Sequence, residues 1–522
     1  MKPETANVRL NTLVERIGSG DIKLPAFQRG FVWEPDQILR LLDSIYQGFP
    51  IGSILLWRTN EHLSSERNIG GFELPDTATG YPVNYLLDGQ QRLTSLYAVF
   101  RPHEEAQDKE PAEAFNVAFV PETEEFVPAG EAPVASINLA RVLDVQKMIT
   151  ELGRFEDQDR KMIAHLQDTF KDYEVPVVTI AEKEHREVCD IFERINSMGT
   201  PLTTMELLTA WTWSESFDLR VRLGVLQGEI EEAGFGFIEN RTLLQCVAAL
   251  SSGEISTQSI VDVEPNDIVG SIESLQQGLR GAVDFFGKEL SIWSLDFLPF
   301  PVQLIPLVWF YSHEPKPNSR QLRLLKRWFW RSSFALRYAQ GTNRNVAADI
   351  LGMGQVLRGD DDAFSLLPAL VESKFFVRTW AIRSAAAKAH ACLLAQQVPR
   401  SLLSGVTLDL GEVLSRYNAR EFHHIFPRAM LRAEGVPPRQ ADVLANICMV
   451  TAADNKKIGK RSPREYFQDI PEPDREEIFN RAIFPPDLEY PASVAGDVEF
   501  YDIFTRLRSQ FLVMAAMKQT NI

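Results

Sequence analysis

Glu421-Phe422-His423-His424-Ile425-Phe426-Pro427, near the C-terminus, reads as a short strand closed by a proline. Side chains alternate along a strand, so the adjacent histidines point to opposite sides. One can ligate a metal while the other works as a base, since a neutral imidazole does either near pH 7. On these residues alone, two loop histidines satisfied by water remain the alternative. Downstream stand Asn446, Asn455 and the basic run Lys456-Lys457-Ile458-Gly459-Lys460-Arg461.

The surrounding chain has 522 residues, enough for about two to four domains with real apolar cores. Its first residues lack the basic-then-apolar pattern of a signal peptide, and no apolar run approaches the roughly 20 residues of a membrane helix. Cys189, Cys246, Cys392 and Cys448 are scattered without a Cys-x-x-Cys pair. That spacing excludes a zinc ribbon and a disulfide framework and suits a reducing cytoplasm, the expected location, with no membrane partner. The formal net charge of −17 opposes nucleic-acid binding only on average. Between Lys316 and Arg344 eight basic residues occur without an acid, and between Lys456 and Arg464 five more. Arg320, Arg323, Arg327 and Arg331 recur at helical spacing, which predicts a basic face that is either a phosphate track or a solvated surface. Leu324, Leu325 and Trp328 fall elsewhere on that helix, and the Trp328-Phe329-Trp330 run is expected in the core.

Toward the N-terminus, Leu24 to Trp33 predicts a turn-rich loop, and Ile38, Leu41, Leu42 and Ile45 predict an amphipathic helix from Pro35, stopped at Gly48-Phe49-Pro50. Ile51–Trp57 and Tyr85–Leu87 read as strands. The second runs into Asp88-Gly89-Gln90-Gln91-Arg92, with a helix continuing from Leu93 to Phe100. A strand, a polar turn and a helix N-terminus can cradle a phosphate, and Arg92 adds a permanent charge; a turn held by Asp88 is the plainer alternative. No Gly-x-x-x-x-Gly-Lys-Ser/Thr loop is present, so nucleotide chemistry of that class is excluded. A strand is expected near Phe115–Val120, helix over Asp144–Tyr173, a strand at Val175–Ile180, and helices from Thr203 to about residue 400.

Two groups of motifs resemble known families. His-His-Ile-Phe-Pro, the Asn at 446, Asn-Lys-Lys-Ile at 455–458 and Ser-Pro-x-Glu-Tyr at 462–466 resemble the HNH (ββα-metal) nuclease domain of GmrSD-type, modification-dependent restriction enzymes. Pro-x-Phe-Gln-Arg at 25–29, Gly-Phe-Pro-Ile-Gly-Ser at 48–53, Asp-Gly-Gln-Gln-Arg-Leu-Thr-Ser-Leu at 88–96, and Ile191–Leu202 resemble the ParB/sulfiredoxin-like N-terminal domain of the same enzymes. The resemblance implies that His423 is a metal ligand, His424 the general base, Asn446 a brace for the loop that orients the base, and Asn455 the second ligand. Asn455 departs from the HNH enzymes that carry a histidine there. One imidazole and one amide oxygen make a hard site, which favours Mg²⁺ or Mn²⁺ over Zn²⁺. The resemblance further implies that Asp88, Gln90, Gln91 and Arg92 bind and help hydrolyse a nucleoside triphosphate (GTP, ATP or another), with Gln28 and Arg29 close by and Asn196 bracing that pocket.

The expected fold class is α+β and predominantly helical. A sensor and NTPase domain spans residues 1–202, an all-helical domain 203–400 and a nuclease domain 401–522. The expected function is nucleotide-gated cutting or nicking of modified double-stranded DNA in prokaryotic antiviral defence. Arg320, Arg323, Arg327, Arg331, Lys456, Lys457 and Lys460 are the candidate DNA contacts, and a homo-oligomer is compatible with this reading. A ParB-like regulator without nuclease activity and an RNA-directed nuclease toxin are the rivals. The resemblance implies glucosylated or hydroxymethylated cytosine or backbone phosphorothioate as the modification sensed.

Overall fold

The computed structural model describes residues 3–25, 31–60, 65–66, 68–74, 82–181, 217–253, 265–413, 422–486 and 496–522, with a few positions between them. The chain divides into two compact units, residues 1–220 and 221–522. It is rich in helix, and its largest sheet among the described residues lies in the first unit, in keeping with the expected α+β class.

In the first unit, β1 (Glu4–Arg9), β2 (Ile22–Pro25), β3 (Ile54–Thr59), β4 (Ser65–Glu66), β5 (Val83–Asp88) and the later Glu174–Ala181 strand form one mixed sheet. The Glu174–Ala181 strand lies between β1 and β3, followed in order by β5, β2 and β4. β3 and β5 occupy the middle, and residues 54–57 and 83–87 of them are buried, as in strands covered on both faces. Helices α1 (Leu10–Gly18), α2 (Pro35–Tyr46) and α3 (Gln90–Val99), with the Asp157–Asp172 helix, bury Leu13, Ile17, Ile38, Leu42, Leu93 and Leu166 in one core with Ile54, Leu56 and Leu86 of the sheet.

α2 follows its sequence pattern: Ile38, Leu41, Leu42 and Ile45 are all buried, Pro35 occupies the first turn, and Gly48 stops the chain at φ +71°. Several boundaries differ from expectation, and the helix expected over Asp144–Tyr173 is two helices, Val145–Leu152 and Asp157–Asp172. β3 starts at Ile54 rather than Ile51, because Gly52 turns the backbone at φ +88° directly against Arg92, where a Cβ would overlap the guanidinium. α3 starts at Gln90 rather than Leu93, from a left-handed Gly89 at φ 95°, so Gln91 and Arg92 belong to its first turn.

In the second unit, the regular elements among the described residues up to residue 395 are helices. α4 (Asn240–Ser251), α5 (Pro265–Leu290), α6 (Leu304–His313), α7 (Ser319–Phe334), α8 (Thr342–Leu357) and α9 (Ala385–Ala395) follow in order. Leu324, Leu325, Trp328, Phe329 and Trp330 of α7 are all in the core, as their spacing required. A two-stranded antiparallel ribbon comes next, β6 (Phe422–His424) and β7 (Ile447–Met449), then α10 (Ala452–Ile458) and the closing helix α11 (Asp497–Thr520). α9 backs the ribbon through His390, which is fully buried with Nε2 3.4 Å from the Ile447 carbonyl oxygen.

Burial, reinforced by the nearby Arg508 charge, pushes the His390 imidazole down from 6.5 to about 3. The folded state therefore excludes a proton that the unfolded chain accepts. The stabilisation from neutral His390 is complete above pH 6.5 and is lost as pH falls toward 3, by up to about 1.4 kcal/mol per unit. Urea denaturation at pH 7.5, 6.0 and 5.0 should show His390→Phe less acid-sensitive than the wild type by that slope. Parallel pH dependences in the two proteins would contradict it.

Candidate active site

The ribbon pairs His423 with Cys448 and His424 with Ile447, and its alternation sends the two imidazoles apart. His423 points toward α10, where its Nδ1 donates to Asn455 Oδ1 at 2.9 Å. His424 points the other way, and its Nε2 donates to Asp442 Oδ1 at 2.8 Å. Arg428 ion-pairs with the same carboxylate oxygen, its Nε also 2.8 Å away. Burial pushes the His423 pKa down from 6.5 to about 4, against a partial rise from the Asn455 hydrogen bond. His424 is lowered as well by burial, with Asp442 pulling it back up. Both rings are thus neutral near pH 7, the state in which an imidazole ligates a metal or takes a proton.

The His423–Asn455 pair fits a hard divalent cation. Adjacent oxygen or nitrogen ligands at about 2.1 Å in an octahedron stand about 3.0 Å apart, and Nδ1 and Oδ1 are 2.9 Å apart. His423 Nε2 is buried and without a hydrogen-bond partner, so it could carry the ring proton if Nδ1 were to ligate a cation. Among the described residues no three His, Cys, Asp or Glu side chains converge, so those residues form no closed zinc site.

Several side chains hold this geometry. Asn446 is fully buried; its Oδ1 accepts from the Phe426 amide at 2.9 Å, and its Nδ2 donates to the Phe426 and Ala441 carbonyls at 3.0 and 2.9 Å. It thereby clamps the backbone just after His424 to the backbone just before Asp442. Tyr466 donates its hydroxyl to the Ile425 carbonyl at 2.8 Å. Asp454 anchors α10 by accepting from Ser401 Oγ, Ser404 Oγ and the Leu403 and Ser404 amides. Asp442 and Arg428 were not anticipated from sequence. The available signal was slight: between His424 and Asp454 the chain holds only two acids, Glu434 and Asp442.

The basic islands divide. Lys456, Lys457 and Lys460 are exposed on and just after α10 and form no ion pair among the described residues. On α7, three of the four arginines have partners within the protein. Arg320 Nε is 2.5 Å from Asp361 Oδ1. Arg327 donates to the Ile522 and Asp361 carbonyls. Arg331 donates to the carbonyls of Thr520, Phe364 and Leu367. Those three guanidiniums stitch the C-terminus and the 356–367 segment onto α7, and Arg323 alone of the four is exposed.

In the first unit, Arg92 donates to the Ile51 carbonyl at 2.6 Å and to Asp88 Oδ2 at 3.2 Å. Gln91 is buried, and its Oε1 accepts from the Val32 and Trp33 amides at 2.8 and 3.2 Å, so it clamps the backbone that follows Gln28 and Arg29. Gln90 is half-buried beside it. Gln28, Arg29 and Asn196, with the 192–202 part of its block, lie outside the described residues. An open groove of ≈ 390 Å³ borders Arg92 and is lined also by Trp33, Arg40, Leu41, Ser44 and Ile51. It combines an indole with two guanidiniums, and Trp33 and Arg40 were not singled out from sequence.

Residues 10–213 match the family described as GmrSD restriction endonuclease, N-terminal domain. An uncharacterized protein of Methanocaldococcus jannaschii is 24% identical over 517 residues, covering 88% of this chain and 86% of that relative. The second likeness therefore extends well beyond the first unit.

The two basic sets separate by experiment. Replacing Arg327 and Arg331 by Gln should lower the melting temperature by roughly 3–6 °C, through loss of charged donors to backbone, and leave the salt dependence of DNA binding unchanged. Replacing Lys456 and Lys460 by Gln should leave melting unchanged and flatten log affinity against log salt by about 0.9 per lost phosphate contact. The reverse pattern in salt titrations and thermal melts would return the DNA track to α7.

Proposed function

We propose, on the premise that this chain carries the N-terminal domain of the GmrSD-type restriction endonucleases across residues 10–213, that it is a DNA endonuclease or nickase cutting foreign, modified double-stranded DNA. The observation that carries the reading is a single three-residue strand. It directs His423 to an amide oxygen and His424 to a carboxylate on opposite sides, next to three exposed lysines. Neutral donors on one side suit a divalent cation, and an oriented imidazole on the other suits proton abstraction from water.

His424, kept neutral by burial, takes the proton of the attacking water. Asn446 fixes the backbone just after the base to the backbone just before Asp442, so the imidazole is held in one orientation. Lys456, Lys457 and Lys460 attract and seat the DNA backbone without reading sequence. His423 and Asn455 would hold Mg²⁺ or Mn²⁺, which supplies positive charge for the phosphate and the leaving oxygen. In the first unit, Arg92 and Asp88, with the groove of Trp33 and Arg40, would take a nucleoside triphosphate, the indole against the base and the guanidiniums toward phosphate. Hydrolysis there would gate cutting and protect the cell's own genome, and modified DNA would be sensed by the same unit.

Matched plasmids, unmodified, sugar-modified at cytosine and phosphorothioated, should be incubated with the protein, Mg²⁺ or Mn²⁺, and each nucleotide in turn. One modified plasmid should be nicked or linearised in a nucleotide-dependent manner, and His424→Ala should reduce the rate at least about 10²-fold without changing DNA affinity. Cutting by His424→Ala at the wild-type rate would overturn the assignment of the base. Cleavage of RNA in place of every plasmid would favour the toxin reading, and tight binding without any cleavage the regulator reading.

A further inference from the structure

The reading above uses Asp442 only as the carboxylate that His424 faces, yet that carboxylate is also the meeting point of two side chains. It is nearly buried, and one of its oxygens, Oδ1, receives both His424 Nε2 and Arg428 Nε at 2.8 Å. A carboxylate only accepts, so the proton of a neutral His424 must sit on Nε2, and Nδ1 must be bare. Nδ1 forms no hydrogen bond among the described residues. The arrangement thus selects one tautomer and leaves the other nitrogen for a substrate proton.

The carboxylate is itself fixed from two sides. Its main-chain carbonyl accepts from the Trp380 amide at 2.6 Å. The preceding carbonyl, that of Ala441, accepts from Asn446, the residue that also clamps Phe426 beyond the base. Arg428 differs from these buried partners: its side chain is 62% exposed, and only Nε is turned to Asp442. Its two Nη groups make no hydrogen bond among the described residues, which leaves a planar pair of donors facing outward, the geometry suited to a phosphate.

We propose that Asp442 is a positioning residue for the nuclease reaction. It fixes His424 with Nδ1 as the proton-accepting nitrogen and links that base to Arg428, which contacts a phosphate of the DNA backbone. This inference rests on the nuclease reading for its catalytic part but not for its structural part. Asp442 acts through His424 and touches no reacting atom. Losing it leaves the imidazole free to turn over or to adopt the other tautomer, and the fraction of productive base falls while DNA binding persists.

The test has two readouts. Histidine carrying ¹⁵N in the ring is incorporated into the full chain, which has eight histidines, and His424 is assigned by the signals missing from His424→Gln. Long-range ¹H–¹⁵N spectra of the metal-free protein at pH 7.5 should show His424 protonated at Nε2 and bare at Nδ1. Asp442→Ala should give a mixture of tautomers, with the other histidine signals retained as evidence of folding. A wild-type His424 protonated at Nδ1, or an unaltered tautomer in Asp442→Ala, overturns the proposal.

In cleavage of the most susceptible plasmid, Asp442→Asn should lower kcat by about 10²-fold or more with KM unchanged. Arg428→Gln should raise KM severalfold and keep kcat. Wild-type kcat in Asp442→Asn, or equal losses of kcat in both variants with KM unchanged, also overturns it. Because the tautomer is read without metal or substrate, failure of the chain to cut any DNA would refute the nuclease reading and leave the tautomer result to decide this one.

Discussion

A fully buried guanidinium holds the second unit in register. Arg508, midway along α11, donates to the carbonyls of Ala445 and Ile447 at 2.7 and 2.8 Å and to those of Ala482 and Ile483 at 2.9 and 3.3 Å. The rings of Phe484 and Phe504 lie against it, 5.1 and 6.0 Å from its centre. Burial pushes its pKa down to about 10, yet it remains charged at neutral pH. A buried charge that lost these acceptors would be strongly destabilising, so the four carbonyls have little freedom to move. Ala445 and Ile447 flank Asn446, and Ile447 opens β7. The cation therefore fixes the strand against which His423 and His424 are paired and the residue that braces the loop beyond them.

From that fixed strand the chemistry follows with few further choices. Pairing with β7 sets the register of β6, and the period of two sends neighbouring imidazoles to opposite sides. One faces an amide on α10, the other a carboxylate between short helices. Desolvation keeps both rings neutral, and their partners decide which nitrogen carries the proton. Two adjacent identical residues thus acquire different roles by backbone geometry, with different hydrogen-bond partners completing the division.

The legible parts of the sequence were those governed by local period. Ile38, Leu41, Leu42 and Ile45 announced α2 because helical spacing repeats, and the histidine pair announced its own divergence because strands alternate. Asn446, Asn455 and the Asp88–Arg92 turn were found through resemblance, and only their contacts became visible in the structure. On α7, a run of cations without nearby acids did not announce the partners of Arg320, Arg327 and Arg331. Their actual partners are carbonyls and one carboxylate some 30 to 195 residues away in sequence, which no local pattern records. Asp442 was invisible for a related reason: it sits in an irregular stretch, and its meaning depends on a strand 18 residues earlier. Nothing in the sequence around Arg508 marks it as buried.

The division of labour along β6 is most directly tested by Mn²⁺ binding, followed by electron paramagnetic resonance on the full chain and on His423→Ala, Asn455→Ala and His424→Ala. His423→Ala and Asn455→Ala should each weaken Mn²⁺ by at least about tenfold. His424→Ala should bind it as the wild type does, since that ring faces Asp442 on the other side of the strand. If His424→Ala weakened Mn²⁺ as much as His423→Ala, or if none of the three changed its affinity, the assignment of one histidine to the metal and the other to the proton would be wrong.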